Sequence, residues 1–187
     1  MALTTLDRNS ALVVIDLLKG IVTYPTVHPA SDVVRRAAEL ADAFRRHGLP
    51  VVLVTVAGMP AGRTEQSWSG ANRPSDWADL LPELNQQPGD HVVTKRQWGA
   101  FTHTGLEAHL KKLGVTQVVI AGIATSFGVE STARHAHELG FNVTLATDAM
   151  TDMSAEAHAN SIERIFPRLG ETGTTREIID LLDRTRA

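Results

Sequence analysis

A three-layer α/β/α sandwich around a mostly parallel sheet is the fold this sequence predicts, on three observations. Short continuous apolar runs recur along the chain, segments with helical spacing of apolar residues separate them, and several of those segments stop at a glycine. Continuous apolar strands are buried on both faces, which a parallel sheet covered by helices demands. Right-handed crossovers then distribute the helices to the two sides.

The first strand is ALVVID at 11–16, an apolar run ending in an acid. Residues 31–46 read as a helix with Val34, Ala37, Ala38, Ala41 and Phe44 on one face, Ser31 or Asp32 as cap and Gly48 as stop. Strands follow at 51–56 and, more weakly, at 90–94. Residues 106–113 are helical and stop at Gly114. The most apolar strand is 116–122. A helix over 129–139 ends at Gly140, a fifth strand covers 141–147, and helices are expected over 155–166 and 175–185. Residues 57–87, rich in Gly, Pro, Ser and Trp, read as a long loop with one short helix near 76–84. A loop of that length in a small domain is a lid or a subunit contact.

The 187 residues suffice for one domain with a substantial core, and 43% hydrophobic with 21% charged residues is ordinary globular composition. A net charge of −3 excludes a strongly basic protein held on phosphate backbones, so no nucleic-acid partner is expected. No apolar run reaches the roughly 20 residues of a membrane span, and the polar N-terminus lacks the pattern of a secretion signal. The expected location is cytoplasmic. The absence of cysteine rules out disulfides, thiolate metal sites and cysteine nucleophiles.

Ligands of open α/β sheets bind beyond the carboxyl ends of the strands. Asp16 ends the first strand, Lys95 follows the third, and GIATSFG at 122–128 joins the fourth to its helix. An acid and an amine at neighbouring strand ends can pair or tune a proton donor. The helix opening near Val129 offers backbone N–H groups suited to a carboxylate or oxyanion. A bland reading stands beside this one: Asp16 caps a turn, Lys95 is solvated and the glycines merely allow tight geometry.

At these residues the chain resembles the isochorismatase-like hydrolase superfamily, which includes nicotinamidases, N-carbamoylsarcosine amidohydrolases and true isochorismatases. The resemblance is carried by ALVVID at 11–16, VTK at 93–95 with GAF at 99–101, VVIAGIAT at 118–125, VESTAR at 129–134, LGFNV at 139–143 and Asp148-Ala149. It implies one domain over residues 1–187, a Rossmann-like central sheet of about six strands, and homo-oligomers. Cysteine members use an Asp–Lys–Cys triad, whose first two members match Asp16 and Lys95. The cysteine position is Gly128 here, as in true isochorismatases, where the Asp protonates a vinyl ether and water completes the cleavage. The resemblance also implies a cis peptide between Ile123 and Ala124. The chain departs from isochorismatases at Ala124, where they carry Tyr, and at Ser126, where they carry His.

Asp16 and Lys95 are therefore the catalytic candidates, with Gly128, Phe127, Ala124 and Trp98 lining the substrate space. Phe101 is a further candidate wall, and Trp68 and Trp77 are candidates for closing the pocket or anchoring a subunit. Thr125 and Ser126 lack a visible histidine to activate them, and Thr125 is expected to bond the backbone of its own turn. His135 and His137, two apart on a helix, point to different faces and cannot share a metal. No metal and no cofactor are expected. Arg63 is a candidate contact for an anionic substrate, with a solvated loop arginine as the plainer reading. Glu130 and Arg134, four apart, read as a helix ion pair. Three functions stay open: hydrolysis of a small carboxylate-bearing substrate through Asp16, amide or ester hydrolysis through activated water or Ser126, and a non-catalytic binding or scaffold role.

Overall fold

The computed structural model describes residues 3–65 and 73–185. Six strands form one sheet in the order β3-β2-β1-β4-β5-β6, and all five neighbouring pairs are parallel. They are β1 (Ser10–Ile15), β2 (Val51–Val56), β3 (His91–Lys95), β4 (Gln117–Ile123), β5 (Asn142–Thr151) and β6 (Glu171–Gly173). The helices are α1 (Ala30–Arg46), α2 (Leu106–Lys112), α3 (Glu130–Glu138), α4 (Ala155–Asn160), α5 (Phe166–Leu169) and α6 (Thr175–Thr185).

Alternate residues of each strand feed two separate cores. Leu12, Val14, Leu53, Val119 and Ala121 pack against α1 and α6 through Val33, Leu40, Phe44, Ile178 and Leu182. Val13, Ile15, Val54, Val118 and Ile120 pack on the other side against Leu106 and Leu110 of α2, Ala133 and Ala136 of α3, and Phe166 of α5. Every residue of β1 and β4 is buried, which is why those strands read as unbroken apolar runs. Each aliphatic side chain so placed contributes about 1.5–3 kcal/mol.

Several boundaries differ from the sequence reading. Helix α1 starts at Ala30 behind Pro29, so neither Ser31 nor Asp32 caps it; Asp32 lies in the first turn, where a carboxylate favours the helix dipole. The short helix expected near 76–84 is only the single 3₁₀ turn Pro82–Leu84, stopped by Asn85 in the left-handed region. Strand β6, three residues long with no apolar run, was not legible. The helix expected over 155–166 continues to Leu169 through the wider turn Ser161–Ile165. Pro167 has no N–H to return to the preceding turn, which accounts for the interruption there.

The loop after β2 returns to the end of β1. Leu18 bridges Leu80, Gly20 N–H donates to the Trp77 carbonyl, and Lys19 pairs with Asp76 and Asp79. The Trp77 ring lies so close over Gly20 that a Cβ there would fall 1.9 Å from it. Trp77 is thus an internal anchor. Trp68 lies outside the described residues. Among those residues no helix is long and apolar enough to cross a membrane.

Candidate active site

The strand order reverses direction between β1 and β4: the chain runs outward to β2 and β3 on one side and to β5 and β6 on the other. The carboxyl ends of β1 and β4, on either side of that switch, are the usual ligand position in such sheets. Asp16 follows β1 with φ +50°, a left-handed conformation that aspartate tolerates better than most residues. One residue before the end of β4, Gly122 has φ +122°, and the register of β4 against β5 shifts beside it. A Cβ at Gly122 would lie 2.0 Å from the Ile15 carbonyl oxygen, so only glycine lets β4 pass this close to β1.

Lys95 was expected at a strand end next to that of Asp16. The strands are not adjacent, because β2 lies between β1 and β3. Two strand spacings are about 10 Å, within the combined reach of a lysine stem and an aspartate. The two side chains meet over the end of β2, with Lys95 Nζ 2.7 Å from Asp16 Oδ2. Lys95 also donates to the Trp98 carbonyl at 2.7 Å, which leaves its ammonium one further donor.

Both residues are nearly shut off from water, Asp16 retaining 7% of its surface and Lys95 3%. Burial pushes the Asp16 carboxyl up from 3.8 to about 6, against the opposing attraction and hydrogen bond of Lys95. The second carboxyl oxygen, Oδ1, is buried with no hydrogen-bond partner. One oxygen is therefore held by a cation while the other is free to carry a proton. A buried polar atom left unpaired costs about 1–3 kcal/mol, a cost that marks a functional group.

Gly128 completes the set. A Cβ built on it would lie 3.3 Å from Lys95 Nζ and 3.4 Å from Asp16 Oδ2, so position 128 faces the ion pair directly. The same Cβ would lie 2.8 Å from Cγ2 of Ile15. Ile15 is fully buried in β1 and its branched Cβ restricts χ1, so it yields at a cost. Gly128→Ala is expected to destabilise the chain by about 1–3 kcal/mol in urea unfolding. Ile15→Leu, which moves the branch away from Cβ, is expected to recover part of that loss.

The turn carrying Gly128, Thr125–Val129, follows a cis peptide between Ile123 and Ala124. A carboxylate fixes it from β5 onward. Asp152, 1% exposed, accepts from Ser126 N–H at 2.7 Å and Ser126 Oγ at 2.8 Å through Oδ2, and from Met153 and Ser154 N–H through Oδ1. Ser126 thus gives its hydroxyl proton to an acid and has no imidazole contact. Thr125 does not bond its own turn as expected; its Oγ1 lies 2.9 Å from Nδ1 of His158 on α4. A histidine does reach this loop, but Thr125 is fully buried, closed to an incoming substrate. Burial, then His28, hold the His158 imidazole below its ordinary range, with Asp152 opposing. The sequence reading missed Asp152 and His158. The one signal for Asp152 was an acid two residues before Ser154, whose side chain caps α4 through Ala157 N–H.

The remaining candidates divide. Trp98 and Phe127 are exposed and meet edge to face at 4.9 Å, forming an apolar ledge built from segments that flank the ion pair. Ala124 is buried at the start of the turn. Phe101 is not a pocket wall: it is buried in the core against Phe141 and His135. Arg63 is exposed on the loop. His135 bonds Thr102 across to the end of the preceding loop while His137 faces solvent, so the two diverge. Glu130 and Arg134 pair at 2.9 Å. Among the described residues no three His, Asp or Glu side chains are grouped to hold a metal ion.

Residues 10–177 match the model of the isochorismatase domain. The chain is 43% identical over 180 residues to the uncharacterized isochorismatase family protein YwoC of Bacillus subtilis, covering 92% of this chain and 94% of that one. It is 44% identical over 184 residues to the uncharacterized isochorismatase family protein YecD of Escherichia coli O157:H7, covering 94% and 97%. Among solved structures, an isochorismatase family protein from Burkholderia thailandensis superposes with a TM-score of 0.92 at 42% identity, over 96% of this chain and 98% of that one.

Proposed function

The chain belongs to the isochorismatase family of hydrolases, and on that premise we propose that it cleaves a small, carboxylate-bearing substrate by proton transfer from Asp16, without a side-chain nucleophile. The observation that carries this reading is the unpaired, buried Oδ1 of a carboxyl raised to about 6. A carboxyl of that kind is protonated in part of the population near neutrality, the state a general acid needs.

For a vinyl ether the steps balance as follows. The Asp16 carboxyl gives its proton to the double bond, and water adds to the resulting oxocarbenium carbon. The hemiketal then breaks its C–O bond, releasing a carbonyl compound and an alcohol, and the proton shed by water restores Asp16. The remaining N–H of Lys95 and its charge hold the substrate carboxylate, and Trp98 and Phe127 cover the apolar part. The absence of cysteine and the Ser126–Asp152 bond both weigh against a covalent intermediate.

The test is turnover of isochorismate and simpler carboxylate-bearing vinyl ethers by the purified chain, followed across pH. The acid must be protonated, so kcat/KM is expected to be flat at low pH and to fall as pH rises through about 6. A rate that instead rises through that value makes Asp16 a base that activates water, the chemistry of an amide or ester hydrolase. Absence of turnover on every vinyl ether offered, with turnover of amides or esters abolished by Ser126→Ala, overturns the proposal.

A further inference from the structure

A second polar site lies away from the Asp16–Lys95 pair, where α3 packs against α5. Arg134, Arg164 and Arg168 surround a depression of about 300 Å³ together with Asn160, Ile165 and Leu169. We propose that this depression binds a small phosphate-bearing anion.

The argument rests on where the arginines without an ion pair fall: Arg63, Arg96 and Arg184 form none among the described residues either, but only Arg164 and Arg168 line a common depression. The chain has more acids than bases, 21 against 18. The arginines of α1 each have a carboxylate within 4 Å: Arg35 has Asp32 and Glu39, Arg36 has Asp148, Arg45 has Asp42 and Asp90, and Arg46 has Asp183. Arg176 of α6 likewise pairs with Asp180. Arg164 and Arg168 form no ion pair among the described residues, although they are four residues apart on one helical run and line the same depression. Glu163, next to Arg164 in sequence, is exposed and bridges neither.

The third cation is held in place. Glu130 takes Arg134 Nε on Oε1 and Ser161 Oγ on Oε2 at 2.6 Å, which occupies both its oxygens and ties α3 to the helical run that carries Arg164. Arg134 keeps its two terminal nitrogens for another partner. Asn160 adds an amide to the same wall. Three guanidinium groups and an amide around a hollow of this size match the several oxygens of a phosphate or pyrophosphate group, which arginine binds with paired N–H donors.

The probe is pyrophosphate, titrated calorimetrically into the full chain at low salt, with sodium chloride of matched ionic strength as control. Saturable binding is expected, weakened about ten-fold or more by Arg164→Ala combined with Arg168→Ala, and less by the paired Lys substitutions, which keep the charge without the planar fork. Both residues are exposed, so the fold and the Asp16-dependent rate are expected to stay unchanged. Inorganic phosphate and a nucleoside diphosphate, run as separate arms, distinguish a free anion from one borne on a larger molecule. The proposal is overturned by no heat beyond the chloride control, or by equal binding in the double Ala variant. It is overturned equally if that variant alters only the sedimentation coefficient, since the arginines then meet another copy of the chain.

Discussion

Asp16→Asn is expected to lower kcat and kcat/KM together by about 10²–10⁴-fold, the range for loss of a general acid or base. Asparagine keeps the shape and accepts the left-handed backbone at φ +50° as readily as aspartate. Its amide oxygen still receives the Lys95 hydrogen bond, so the ammonium stays in place. What is lost is the one transferable proton, because the partnerless oxygen no longer carries an O–H. The comparison is made on protein with an unchanged circular dichroism spectrum and a cooperative melt. KM is expected to change little, since the proposed substrate contacts, Lys95 and the Trp98–Phe127 ledge, are kept. A variant that keeps full turnover removes Asp16 from the chemistry.

Lys95→Met is expected to destabilise the chain far more at pH 8 than at pH 5. The methionine stem fills the same channel, but Asp16 Oδ2 and the Trp98 carbonyl lose their donor. Lys95 holds the Asp16 carboxyl down, so its removal drives that pKa above 6. A carboxyl whose folded pKa lies above its unfolded 3.8 binds more protons folded than unfolded. Its stabilisation is present at low pH and is lost as pH rises through the folded pKa. At pH 5 the variant keeps Asp16 neutral and loses little. At pH 8 it must either bury an unpaired carboxylate or hold a proton against the solvent, and removing one member of a buried pair costs about 3–5 kcal/mol. Urea unfolding at the two pH values measures the difference. Equal losses at both would mean that the ammonium does not set the charge of Asp16. The alkaline limb of any rate profile is expected to move upward in the same variant.

How far the sequence discloses this site follows from what each residue has to do. Strands β1 and β4 were legible because burial on both faces leaves an unbroken aliphatic run, and that run points directly at Asp16 and at the 122–128 turn. Lys95 was found as a residue but misplaced, because strand order is decided by crossovers that leave no local mark; β2 sits between the two partners. Strand β6 has three residues and no apolar pattern, so only its pairing with β5 defines it. Asp152 and His158 were invisible for another reason. Each holds the Gly128 turn through a hydrogen bond from 26 or 33 residues away, and one polar residue at the mouth of a helix looks like any surface group. Phe101 stood as either a pocket wall or ordinary core packing, and its ring fills the core.

The state of the Asp16 carboxyl can be read without knowing the substrate. Carbon-13 carboxyl NMR, with Asp16→Asn to identify the resonance, gives its titration directly in the resting protein. A midpoint near 6, moving upward in Lys95→Met, is the expected result. A midpoint at or below 3.8 would mean that the carboxyl is a permanently ionised partner of Lys95 with no proton to give near neutrality.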